Sequence, residues 1–253
     1  MNQKRFAAMA APALVGALAL AGFAGQASAG TVNATLSATY YQVLNGTGAP
    51  DFGGSGTPNV ANGSALGPNG LPVVSTPAGV SMVNSTTNEL EWWAPSMNPA
   101  ILQTGTGTIA LPYNSNMFAP GSTGGNDGSS FETAMFTGDF TLSASSVVSF
   151  TLGSDDDSFI YVDGTLIGQN PGIHGVTTVQ FDSPTLGIGD HSIEVFFADR
   201  EQVGAFLSLN LLSTDVVITP PPSIPEPSSW ALLFAGLGAV GALARRRKSA
   251  APR

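Results

Sequence analysis

The sequence predicts an all-β protein, an antiparallel barrel or sandwich with an apolar helix at each end. Three observations carry this. Of 253 residues, 31 are Gly and 18 are Pro, while only 10% are charged, a composition that suits turn-rich β structure better than a helical bundle. From residue 131 onward, short runs alternate apolar and polar side chains, the period of a half-buried strand. Turn residues separate these runs at even spacing, as in sandwiches and barrels. The length allows one large domain or two small ones with a real core. With no cysteine in the chain, disulfides, thiolate zinc sites and cysteine nucleophiles are excluded.

Charge is distributed unevenly. The eight basic residues are Lys4, Arg5, Arg200, Arg245, Arg246, Arg247, Lys248 and Arg253, and all 17 acidic residues lie between Asp51 and Glu226. Within that span Arg200 is the single cationic side chain. A basic nucleic-acid groove is therefore excluded for the body of the protein.

Residues 1–29 read as a secretory signal peptide. Lys4 and Arg5 form the positive n-region, 12–23 is an apolar run, and Ala27-Ser28-Ala29 is an A-x-A cleavage site. The body then runs from Gly30 to about residue 218, with its best-supported part at 131–212. Val32, Ala34, Leu36, Ala38 and Tyr40 fall on one face of an opening strand. Residues 45–72, rich in Gly, Pro, Asn and Ser, have little to bury and read as loop. Trp92 and Trp93 interrupt this polar ground; they read as a strand with one Trp packed in the core, with a sugar-stacking platform as the alternative. Residues 121–130 form a second glycine-rich loop.

Val148, Phe150 and Leu152 share a strand face. Residues 159–162, the Asp163-Gly164 pair and 165–168 read as a hairpin with a type I′ turn, because Asp-Gly tolerates positive φ. Residues 176–181 are a further strand, and 187–190 a turn. His191, Ile193, Val195 and Phe197 share one face, as do Ala205, Leu207, Leu209 and Leu211. Residues 219–229 form a proline-rich linker. Residues 230–253 make an apolar helix closed by Arg245, Arg246, Arg247 and Lys248, with an apolar run a little short of the roughly 20 residues a spanning helix prefers.

The chemistry concentrates at Asp155, Asp156 and Asp157. Three adjacent carboxylates repel one another, so the fold must supply a cation, backbone N–H groups or open water. Calcium takes six to eight oxygen ligands, and two or three carboxylates supply suitable charge. Asp163 reads as a turn former. Arg200 is expected to form a structural ion pair with Asp199, Glu201 or the Asp cluster. His174 and His191 lack a third ligand at metal spacing. Glu89 and Glu91 beside the two Trp are the one pair resembling glycosidase acids; nothing else points to catalysis, so no catalytic residue is assigned.

Two stretches resemble known families. Pro225-Glu226-Pro227-Ser228-Ser229-Trp230, followed by the apolar helix and arginines, resembles the PEP-CTERM sorting signal of Gram-negative bacteria. The resemblance implies recognition of Pro225, Glu226 and Pro227 by an exosortase that removes the tail, with Arg245, Arg246 and Arg247 holding topology until then. It also implies a surface or matrix protein made alongside exopolysaccharide, held in the membrane by its C-terminal helix at least before processing.

The body, over about residues 33–212, resembles the lectin-type β-barrel of the protective-antigen and flocculin family and its fibro-slime relatives. The matching stretches are Ala38-Thr39-Tyr40-Tyr41, Phe136-Thr137-Gly138, Ser154-Asp155-Asp156-Asp157 with Tyr161-Val162-Asp163-Gly164, Gly172-Ile173-His174-Gly175 and Phe196-Phe197-Ala198-Asp199-Arg200. Glycan-binding members hold Ca²⁺ with two successive aspartates. Carried over, these are Asp155 and Asp156, with Asp157 in support and Asn170 as a further ligand by position. The resemblance thus implies an exported, non-enzymatic protein of the cell surface or biofilm matrix that binds extracellular polysaccharide through calcium. A purely structural adhesion module is the alternative, and a polysaccharide hydrolase a more distant one.

Overall fold

The computed structural model describes residues 34–46, 48–54, 62–74, 80–120 and 128–221. The secretory segment, the sequence expectations for 121–127 and the sorting tail lie outside the described residues. Within them every regular element is a strand: β1 Thr35–Leu44, β2 Asn62–Leu66, β3 Pro72–Val74, β4 Ile101–Ala110, β5 Tyr113–Asn116, β6 Ser130–Leu142, β7 Ser149–Asp155, β8 Asp157–Val162, β9 Thr165–Asn170, β10 Thr177–Asp182, β11 Gly189–Ala198, β12 Phe206–Leu211 and β13 Ile218–Thr219. A nine-stranded sheet follows the order β3-β2-β9-β8-β11-β6-β1-β4, with β13 joined to β6; a four-stranded sheet follows β10-β7-β12-β5. All strand pairings within these sheets are antiparallel.

The main core lies between the two sheets, and alternation in the sequence explains it. Phe150 and Leu152 of β7 and Leu207, Leu209 and Leu211 of β12 meet Phe136, Ile160, Val162, Ile193, Val195 and Phe197 of the large sheet. The anticipated Asp-Gly turn joins β8 to β9, with φ of 51° at Asp163 and 68° at Gly164. Both residues sit in the left-handed region that a type I′ hairpin requires.

A second core covers the opposite face of the large sheet. There Tyr41, Val43, Phe131, Phe159, Tyr161 and Phe196 pack against Ala49, Phe52, Leu71, Val74, Met82, Leu90, Trp92 and Trp93. The expectation that 45–72 has little to bury is thus corrected. That segment contributes Ala49, Phe52 and Leu71 to a lid over the sheet, and the loop reading is also corrected at 62–66, which forms β2. Strand β8 is consequently buried at every residue, as expected for a strand covered on both faces.

Strand β4 is bent by an irregularity at Thr104, since Tyr40 pairs with Gly105 and Tyr41 with Gln103. The extra residue reverses the side-chain parity. Ile101 therefore enters the second core and Ile109 the first, although both are odd-numbered.

Candidate functional site

The aspartate cluster sits where β7 gives way to β8, with the loops after β9 and β11 folded over it. The Asp155–Asp156 peptide is cis. Asp156 is 1% exposed and is clamped by main chain: His174 N donates to Oδ1 at 3.0 Å, while Arg200 N and Glu201 N donate to Oδ2 at 2.8 and 3.0 Å. A carboxylate offers about four acceptor positions, so these three bonds leave Asp156 with room for one more partner. Burial pushes its pKa up to about 6, opposed by the Arg200 and His174 N–H groups and reinforced by the charges of Asp157 and Asp155.

Asp155 lies at the edge of the cluster, 9% exposed. Adjacent like charges disfavour ionisation of both groups, and a shared proton or a bound cation relieves the repulsion. Burial raises the Asp155 pKa, with the neighbouring Asp156 and His174 opposing. The opposite wall is Gly204, at φ 88°; a side chain there would run into the Asp155 carboxylate. Glycine is needed there because the chain passes close against this carboxylate.

Asp157 is used differently. It is fully buried, accepts from Gly172 N at 2.6 Å through Oδ1, and is ion-paired through Oδ2 to Arg200 Nε at 2.6 Å. The expectation of Asp157 as a third metal ligand is corrected on this geometry: its carboxylate is committed to the protein's own arginine. In keeping with this, no three His, Asp or Glu side chains form a metal-binding group among the described residues. The expected ion pair of Arg200 does form, with Asp157 as its partner. The guanidinium also lies 4.7 Å from the Trp92 ring centroid, within cation–π range.

Asn170 is buried beside the cluster, and its Nδ2 donates to Ser154 Oγ at 2.9 Å and to Thr177 O at 3.0 Å. Held by its nitrogen, the amide is oriented with its carbonyl oxygen as the available end. Ser154 in turn hydrogen-bonds Ser158 at 2.7 Å, which fixes the start of β8 beneath the cluster.

Sequence reasoning missed the support behind Arg200. Asp51 is buried and accepts from Ser81 N at 2.7 Å, Met82 N at 2.9 Å and Trp92 Nε1 at 2.9 Å. A continuous path therefore runs Asp51–Trp92–Arg200–Asp157. A lone Asp in a Gly/Pro-rich loop carried no signal of it. The sugar-stacking alternative for the tryptophans fails, because Trp92 and Trp93 are 0% and 3% exposed and Trp93 Nε1 donates to Phe197 O. The Glu89 and Glu91 pair also fails as acid chemistry. Glu89 is fully buried, with Asn69 N and Leu71 N donating to it at 2.7 and 3.4 Å. Burial raises its pKa, but hydrogen bonds from Asn69, Thr87 and Leu71 outweigh that and lower it, the wrong direction for a general acid at neutral pH.

Asp163, read as a turn former, also accepts from Ser192 N at 2.9 Å and pairs with His191 Nδ1 at 2.7 Å.

The chain is similar to a PA14 sugar-binding domain from an RTX adhesin, at 17% identity and a TM-score of 0.41, covering 75% of this chain and 96% of that one. It is similar to the PA14 domain of the MpAFP antifreeze protein, at 15% identity and TM-score 0.33 over 76% of this chain and 97% of that one. A third is the Epithelial Adhesin 6 A domain from Candida glabrata in complex with Galβ1-3GlcNAc, at 13% identity and TM-score 0.36 over 74% and 84%. No curated protein sequence matches the chain. The tail is identified directly: residues 223–248 match the PEP-CTERM protein-sorting motif, so the chain carries the sorting signal of an exported protein.

Proposed function

We propose that this protein is an exported cell-surface or matrix protein that binds extracellular polysaccharide through a calcium ion held at Asp155 and Asp156. The observation that carries the reading is the adjacent, buried Asp155 and Asp156 where β7 meets β8, with Gly204 packed close against the Asp155 carboxylate. Nearby, the only arginine of the acidic span is already spent on Asp157. The residues present fit calcium: two carboxylates, the Asn170 amide oxygen and loop carbonyls are hard oxygen donors. Calcium would neutralise the pair and offer coordination positions to sugar hydroxyls. The protein's own part is to hold Asp156 on three N–H groups, orient Asn170 and keep Asp157 turned inward. The PEP-CTERM match supports exosortase as the processing partner, acting at the tail that contains Pro225, Glu226 and Pro227.

The test is calorimetric titration of the exported protein with Ca²⁺, followed by a glycan array with and without EDTA. Binding heat that vanishes in Asp155→Asn, with EDTA-sensitive glycan signal, is the expected result. One observation favours a second reading, a structural adhesion module: Asp156 already staples two loops through backbone bonds. Absence of calcium heat and of any EDTA-sensitive signal would leave that reading standing.

A further inference from the structure

Each sheet ends in two edge strands, and three of the four carry features that discourage pairing with another chain. β3 has three residues and opens with Pro72, and β5 has only four. β10 ends in Asp182, and its Phe181 is turned onto Gly168 of β9. β4 is the exception. It is ten residues long, contains neither charge nor proline, and pairs only with β1 among the described residues. Its sequence neighbours do not supply the missing charge, since none lies between Glu91 and Asp127.

The middle of β4 is bare. Thr104, Thr106 and Thr108 are exposed, and a Cβ placed on Gly105 or Gly107 would meet nothing within 4 Å. The irregularity at Thr104 leaves residues 105–110 as a regular stretch in register with β1. An antiparallel edge is its own complement across a two-fold axis, so two copies can extend both sheets through main-chain hydrogen bonds alone. The overall charge of −9 makes two copies repel over much of their surfaces. An edge without charge is where they can approach most closely.

We propose that β4 is a self-association edge, at which a second copy of this chain adds antiparallel about a two-fold axis near Thr106 and Thr108. Joined this way, the large sheets of two copies become one continuous sheet, and each copy keeps its aspartate loop.

The chain has no native cysteine, so single replacements report cleanly. Leu102→Cys, Thr106→Cys, Thr108→Cys and, on the β10 edge, Thr178→Cys are made in the full chain, exported, and treated with a short bis-maleimide. The expected result is a cross-linked dimer several-fold more abundant at Thr106→Cys or Thr108→Cys than at Leu102→Cys or Thr178→Cys. Adding Thr106→Lys to the Thr108→Cys chain should abolish it, because like charges then face each other across the axis. Equal yields at all four positions, no dimer at any, or a dimer that survives the lysine would overturn the proposal.

Discussion

Arg200 and Asp157 are both fully buried, and their value is best judged by removing one of them. A buried pair contributes modestly relative to apolar replacements, but deleting one partner strands the other and typically costs about 3–5 kcal/mol. Arg200→Ala also removes the cation from the Trp92 face. Its melting temperature should fall by roughly 10 °C in a domain of this size, and a curve matching wild type would remove the strut from the account. A different residue-scale test comes from His191. Its pKa is raised chiefly by the hydrogen bond to Asp163, with Gly187 O and the Asp163 and Asp190 charges adding and burial opposing. A raised histidine pKa stabilises the fold below the unfolded value near 6.5, and that stability is lost as pH climbs through the folded value. The melting temperature should therefore decline as pH rises above about 6.5. Asp163→Asn should flatten the decline, since Asn keeps the turn's tolerance of positive φ while losing the charge.

Among the elements, the β8–β9 hairpin separates backbone strain from packing. At Gly164, φ is 68° and an added Cβ meets nothing, whereas at Gly168 it would strike the Phe181 ring. Gly164→Ala should cost about 1 kcal/mol from the left-handed backbone alone. Gly168→Ala should cost more and loosen β10, which denaturant melts of the two variants would rank. Such strands were legible because alternation and Asp-Gly chemistry are local. Val148, Phe150 and Leu152, like Leu207, Leu209 and Leu211, occupy the core that their spacing anticipates. The lid over the second core was not legible. Phe52, Leu71 and Met82 are scattered among Gly, Pro and Asn, and their burial depends on a sheet face supplied by distant residues. The site divides the same way. Adjacency marked the aspartates, but only the fold turns Asp157 inward, because its partner Arg200 lies 43 residues away. Likewise, nothing local pairs Asp51 with Trp92.

For the molecule as a whole, seventeen carboxylates face a single arginine between Asp51 and Glu226, so two distinct electrostatic responses should be separable. General self-repulsion is screened by any salt, and raising NaCl from about 0.02 to about 0.2 M should lift the melting temperature slightly. A calcium ion seated at Asp155 and Asp156 acts instead by mass action, adding about 2.7 kcal/mol at a hundredfold excess over Kd. That corresponds to a rise of roughly 5–10 °C. The two are told apart by matching ionic strength. Calcium should outperform NaCl and also Mg²⁺, which is smaller, demands near-ideal octahedral geometry and gives up its waters reluctantly. The excess should vanish in Asp155→Asn and in Gly204→Ala, whose added methyl presses on the same carboxylate. It should persist in Asp182→Asn, which removes one exposed charge from β10. If calcium and sodium chloride prove equivalent at equal ionic strength, the acidic body is merely being screened, and the aspartate pair is part of the scaffold.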